Sequence, residues 1–328
     1  MIVRVVAIGG GTGLSTLLRG LREHVWSALG QTRERPIAEL GAIVTVTDDG
    51  GSSGRLRREF NMIPPGDVRR CLVALSQDED LLSKLFEYRF RAGKGLEGHS
   101  VGNLLLTALT KITGDFGRAL EVASEVLATC GHIYPATLQQ VRLRAELEGG
   151  RIVQGETRIS RSTRKITRLM LVPSDCRPVP EAIHALERAD IITLGPGSLY
   201  TSIVPNVLVK QMARKLAAAK AVKVYVGNLM TQPGETTGMS AAEHIRAIYE
   251  HAGAPLFHYA ILNASKVSPR LLKRYRAEGS AQVENDLEEV ARLGVEPVLH
   301  NLIARGDVVR HNPEVLAQVV LSLGKKHE

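Results

Sequence analysis

Aromatic side chains are scarce in this chain, at 4% of 328 residues. No basic run is interleaved with aromatics, so the stacking platforms that grip bases are missing, which argues against a nucleic-acid binder. Cysteine is scarce too. Cys71, Cys130 and Cys176 are odd in number and form no C-x-x-C pair. That argues against a disulfide framework or a zinc site and for a reducing compartment, expected to be the cytoplasm. No stretch approaches about 18 apolar residues, so no membrane-spanning helix is expected. The N-terminus runs as a short apolar strand straight into glycines, unlike a signal peptide.

What is present is an ordinary globular core fraction and an excess of positive charge. Hydrophobic residues make up 44% of the chain, and the formal charge is +8. The length suits one large α/β domain or two small ones. The charge suits acidic ligands.

The opening is the most specific stretch. An apolar run, Ile2 to Ile8, leads into Gly9, Gly10, Gly11, Thr12 and Gly13, and then into Leu14-Ser15-Thr16-Leu17-Leu18. This reads as strand, glycine turn and helix. Glycines admit a bulky anion close to the backbone, and the helix start offers it free N–H groups and a positive dipole end. Valine at Gly10 or Gly13 is therefore expected to block a diphosphate while sparing the fold. The dinucleotide fingerprint G-x-G-x-x-G is met at Gly9 and Gly11, but Leu14 takes the third position. No Gly-Lys-Ser/Thr follows, so the P-loop pattern fails.

Further strands are expected at 41–47, 191–194, 222–226 and 257–262, with helices near 66–76, 79–90, 101–112 and 117–128. Between them, Val141, Leu143, Ala145 and Leu147 alternate with polar residues, and Gly149-Gly150 precedes Arg151-Ile152-Val153. That is a β-hairpin signal, and 130–175 reads as a small antiparallel excursion. The overall expectation is an α/β fold: a Rossmann-like three-layer sandwich with a mostly parallel sheet and a small antiparallel β insertion.

The motifs fall at the carboxyl ends of strands, where open α/β sheets bind ligands. Asp48 and Asp49 end the second strand. Either carboxylate can hold ribose hydroxyls, bind Mg²⁺ beside a diphosphate, act as a base, or merely close an Asx turn. Ser52 and Ser53 add donors in the following Gly-Gly-Ser-Ser-Gly. Asp67, after Pro64-Pro65-Gly66, can cap a helix. In Gly98-His99-Ser100-Val101-Gly102-Asn103, Ser100 can cap, leaving His99 and Asn103 at the helix start. His99 is a candidate catalytic residue or a structural one. Gly195, Pro196, Gly197 and Ser198 form a second strand–turn–helix start, offering N–H groups and a hydroxyl to a phosphate. Asn228 and Asn263 end strands and can read a base or sugar edge. Tyr275 lies in a basic helix, and Arg310 can pair with an anion or with an acidic side chain.

Taken together, the motifs at 9–13, 48–54, 65–67, 98–103 and 195–198 resemble the CofD-like superfamily, and more closely the bacterial gluconeogenesis factor family of the YvcK type. The resemblance spans nearly the whole chain in order. It implies one α/β domain over 1–328 with 130–175 inserted in it. It implies diphosphate contacts from the loops at 9–13 and 195–198, an active-site role for Asp48, the carboxylate that can also bind Mg²⁺, and nucleotide-sugar contacts from Tyr275 and Arg310. The implied ligand is of the UDP-N-acetylglucosamine type, and the implied role links carbon metabolism to cell-wall precursor supply and cell shape. The expected protein partners are a metabolic or cell-wall precursor enzyme and further copies of the chain. Two alternatives stand beside it. One is a Mg²⁺-dependent transferase of the 2-phospho-L-lactate transferase type, and the other is an NAD-dependent oxidoreductase.

Overall fold

A computed structural model describes residues 2–26, 36–77 and 81–326. Seven strands form one parallel sheet: β1 (Val3–Gly9), β2 (Ile37–Val44), β3 (His132–Pro135), and later β7 (Ile191–Leu194), β8 (Val222–Val226), β9 (Tyr259–Asn263) and β10 (Glu296–His300). Between them, β4 (Arg142–Leu147), β5 (Arg151–Gln154) and β6 (Ile166–Val172) make a separate antiparallel sheet.

The parallel sheet runs β10-β9-β8-β7-β1-β2-β3. Its central strands are buried throughout, which explains their largely apolar runs; Lys223 inside β8 turns its ammonium to the Ala219 carbonyl. In register, Ile8 lies between Ile43 of β2 and Leu194 of β7. From β1 the chain steps outward to β2 and β3. From β7 it steps the other way. The crevice above the β1–β7 pair is the switch point at which such sheets bind ligands.

The first seven helices are α1 (Gly11–Arg22), α2 (Gly51–Phe60), α3 (Gly66–Leu75), α4 (Leu81–Glu87), α5 (Val101–Thr113), α6 (Phe116–Val126) and α7 (Glu156–Ser160). α1 carries its apolar stripe, Leu14, Leu17, Leu18 and Leu21, wholly buried against α3 and the last helix, Pro313–Lys326. Ser100 caps α5 as expected, accepting the Asn103 N–H. No described helix is long and apolar enough to cross a membrane.

Four differences from the sequence reading concern boundaries. Residues 132–135 do not belong to the antiparallel excursion. They pair with β2 as the outer strand of the main sheet, and four residues carry too little alternation to reveal that. Strand β10 was not expected, because Glu296–His300 is largely exposed and mixed in polarity. Helix α2, Gly51–Phe60, begins inside the glycine–serine motif and was not among the expected helices. Of the expected helix at 79–90, residues 79 and 80 lie outside the described residues, and the described helix ends at Glu87.

The antiparallel sheet is tied down by a histidine. Nε2 of His251, on the helix Ala241–Ala252, accepts the Leu169 N–H at 2.9 Å, and its Nδ1 faces the Ala247 carbonyl at 2.7 Å. His251→Ala is expected to cost about 1–3 kcal/mol by orphaning that amide. Native-state hydrogen exchange should show Leu169 exchanging faster while β1 is unaffected.

Candidate functional site

A cleft of about 600 Å³ opens at the switch point. Its floor is the start of α1. Gly10, the residue before the helix, is extended, no side chain caps the helix, and no acidic residue lies in its first turn. The hydroxyls of Ser15 and Thr16 both turn inward to the Thr12 carbonyl, at 3.0 and 2.9 Å. The Gly11 N–H goes to the carboxylate of Asp67. The N–H groups of Thr12 and Gly13 keep no side-chain partner among the described residues, which leaves them for an anion.

Gly13 has a different task from the one its loop position implies. A Cβ there would sit 2.3 Å from the Pro196 carbonyl oxygen. The two glycine loops press backbone to backbone, so valine at Gly13 breaks the fold instead of sparing it. At Gly10 a Cβ would meet Thr45 at 2.5 Å and Asp67 at 2.8 Å. Gly13→Ala is expected to destabilise by about 1–3 kcal/mol or more, read as a lower denaturant midpoint.

The second glycine loop does not present a free helix start. Glu235, buried beneath it, accepts the Tyr200 N–H at 3.3 Å and the Thr201 hydroxyl at 3.2 Å. This carboxylate fills the anion position at Leu199–Ile203, the π-helical segment after the turn. Glu235 thus serves the Tyr200–Thr201 part of the segment and takes neither the Gly197 nor the Ser198 N–H. Gly195 serves the turn, with φ of 90° and a Cβ position 2.7 Å from the Val226 carbonyl. Gly197 and Ser198 do line the cleft. The Gly197 N–H points to Asn228 Oδ1 at 3.5 Å, and the Ser198 hydroxyl accepts from Gln232 Nε2 at 2.8 Å.

Acidic residues crowd one end of the cleft. Asp48 accepts the Gly50 N–H through Oδ1 at 2.9 Å, which is an Asx turn, while its other oxygen lies beside Gly66. Asp67 pairs with Arg70 at 2.5 Å. Burial pushes the Asp67 carboxyl up to about 6, and Asp48 adds to the effect, while Arg70 and the Gly11 N–H oppose it. Asp67 does not cap α3, because Pro65 holds that position. Glu156, at the start of α7, completes the group and was missed from sequence: nothing in Gly155-Glu156-Thr157 separates it from a surface acid. Burial, reinforced by Asp48 and Asp67, holds its carboxyl well above the usual range. Among the described residues, no group of three or more His, Cys, Asp or Glu is arranged to hold a metal ion.

Tyr275 and Arg310 line the opposite end. The Tyr275 hydroxyl accepts the Val309 N–H at 3.2 Å, holding the hairpin that carries Arg310. The Arg310 side chain is exposed and has no acidic partner among the described residues, so the bland pairing falls away. The adjacent His311 was not anticipated. It is buried, Nε2 faces the Gly227 carbonyl at 3.1 Å, and burial drives its pKa down to about 4, so the neutral ring donates there.

Several expected site residues lie outside the cleft wall. Ser52, His99 and Asn103 form a buried bracket between α2 and α5. Ser52 Oγ pairs with His99 Nδ1 at 2.9 Å, Asn103 Nδ2 donates to Ser52 Oγ at 3.1 Å, and Arg69 Nε donates to Asn103 Oδ1 at 3.0 Å. The bracket consumes the groups that made these residues candidates. Ser53 is buried against Gly66. Asp49 serves α7, accepting the Thr157 N–H at 2.9 Å and its hydroxyl at 2.7 Å. Asn263 closes the turn after β9, bonding Ser265 and the Leu302 N–H. Gly9 is a strand residue whose carbonyl accepts from Thr45 N and Asn206 Nδ2.

The raised pKa of Asp67 has a signed consequence. Between the ordinary carboxylate value and about 6, the folded state holds a proton that the unfolded chain has lost, so stability falls as pH rises through that window. Relative to Asp67→Asn, the wild-type protein is expected to lose about 3 kcal/mol between about pH 4 and 7. Denaturant unfolding across that range measures it, and parallel curves for the two proteins would refute it.

The family model of the 2-phospho-L-lactate transferase CofD matches residues 5–303. The gluconeogenesis factor of Bacillus subtilis is 42% identical over 324 residues, 98% of this chain and 98% of its own. That of Halalkalibacterium halodurans is 43% identical over 318 residues, 97% of this chain and 95% of its own. A crystal structure of a Bacillus halodurans protein superposes with a TM-score of 0.92 at 43% identity, covering 98% of this chain and 100% of that one. With a sheet that reverses over one open helix start, and with these matches along nearly its full length, the chain belongs to the CofD family and has bacterial gluconeogenesis factors among its relatives.

Proposed function

We propose that the cleft binds a nucleoside diphosphate sugar of the UDP-N-acetylglucosamine type. The carrying observation is the uncapped start of α1 in the cleft floor, with the unpaired Arg310 across from it. The diphosphate lies on the Thr12 and Gly13 N–H groups, where two charges meet the helix dipole. Arg310 closes over it with a charge-assisted bond. Tyr275, Asn228 and Ser198 face the nucleoside. In this reading the protein works in the cytoplasm as a sensor of that ligand, coupling carbon metabolism to cell-wall precursor supply and cell shape through a metabolic or precursor enzyme.

A second reading rests on Asp48, whose free carboxylate oxygen stands in the same cleft as the diphosphate site. Mg²⁺ is commonly held by one or two carboxylates together with substrate phosphates, so Asp48 suits it without a preformed protein cage. That arrangement would support a transferase using the same donor. The oxidoreductase reading is disfavoured by Leu14, which is fully buried where a dinucleotide fold uses glycine to bring helix and strand close.

Titration calorimetry tests the proposal. Wild-type protein is expected to bind UDP-N-acetylglucosamine and not NAD(H). Arg310→Ala is expected to weaken binding by about 1.5–3 kcal/mol, the range for bonds to charged groups, with little change in melting temperature. No heat of binding from wild-type protein at millimolar ligand would end the reading.

A further inference from the structure

From the geometry of the antiparallel insertion we infer that Glu156 is the residue through which the protein recognises the sugar beyond the diphosphate, as a hydrogen-bond donor to a sugar hydroxyl or acyl oxygen. This rests on the nucleotide-sugar reading and assigns its second half.

The insertion is held so that this one side chain reaches the cleft. α7 is a single short helix, fixed at both ends by carboxylates from the main fold. At its start, Asp49 from the β2–α2 loop takes both the N–H and the hydroxyl of Thr157. At its end, Ser160 donates to Glu235 at 3.0 Å. Gly234 packs against the Ser160 and Ser162 carbonyls so closely that a Cβ would lie within 2.5 Å of either oxygen. Between these two ties Glu156 lines the cleft, half-buried, and its carboxyl has no hydrogen-bond partner among the described residues. A side chain positioned this firmly with nothing to bond is poised for something that arrives.

Position along the ligand follows from the cleft's two ends. The diphosphate seat at Thr12 and Gly13 lies in the middle. Tyr275 and Arg310 stand with the hairpin whose His311 meets Gly227 after β8, on one side of that seat, and Asp48 follows β2 on the other side, with Glu156 in its field. With the nucleoside toward Tyr275, the group on the far phosphate points at Glu156. Burial and the facing carboxylates favour the neutral acid there. A bound diphosphate strengthens that preference, because its own charge opposes a third carboxylate. A neutral carboxyl offers an O–H donor to an oxygen of the sugar.

The test compares UDP with UDP-N-acetylglucosamine by calorimetry in wild type, Glu156→Ala and Glu156→Gln, without added metal. The readout is the ratio of the two dissociation constants, which cancels losses common to both ligands. Glu156→Ala is expected to reduce the sugar's advantage by fivefold or more, with UDP affinity kept. Glu156→Gln retains a donor N–H and is expected to hold the wild-type ratio within about twofold, the ordinary spread of a replaced neutral hydrogen bond. An unchanged ratio in Glu156→Ala overturns the inference. So does equal damage from both substitutions, or an equal loss of UDP affinity. A wild-type protein that binds neither ligand defeats the nucleotide-sugar reading itself, a result separate from any of these.

Discussion

The chain leaves β1 toward one edge of the sheet and leaves β7 toward the other, and no helix can cover the seam between them. Everything at the cleft follows from that reversal. It sets the two glycine turns side by side, so that Gly13 meets the Pro196 peptide with no room for a side chain. It aims the start of α1 into the opening. It also forces later parts of the chain, the turn after β8 and the 302–312 hairpin, to supply the walls.

Two helical starts in that opening solve the same electrostatic problem differently. The segment after Gly197 is satisfied internally by Glu235, a buried carboxylate with several donors. The start of α1 surrenders one N–H to Asp67 and leaves the next two unclaimed. Asp67 is itself held between that N–H and Arg70, which offsets part of the cost of burying it. The cleft therefore combines buried acids, an open helix start and the Arg310 guanidinium.

The sheet was legible because parallel strands buried on both faces are mostly apolar and short. Ile191–Leu194 and Val222–Val226 stand out on that ground, each with a single polar residue, Thr193 and Lys223. β10 did not, since an exposed edge strand has no such pattern. At the site, Gly11, Thr12, Asp48 and Ser198 were legible as strand-end residues, because the position of a loop at a sheet edge can be read from its neighbours. What a polar side chain bonds to across the fold cannot be. His99 and Asn103 look like site residues until Ser52 and Arg69 are seen to occupy them. Glu156 and Glu235 look like surface acids until tertiary packing turns them inward.

The two ties on α7 also make the cleft a composite of the main sheet and the antiparallel insertion. Besides Thr157, Ser160 and the His251–Leu169 bond, the three-stranded sheet lays Leu143, Ala145, Leu147, Leu169 and Leu171 into the same continuous core as the main sheet. One wall of the cleft is therefore only as firm as the packing of that sheet. A ligand that touches this wall stabilises the docked insertion along with the site, although the sheet lies far from the glycine loop.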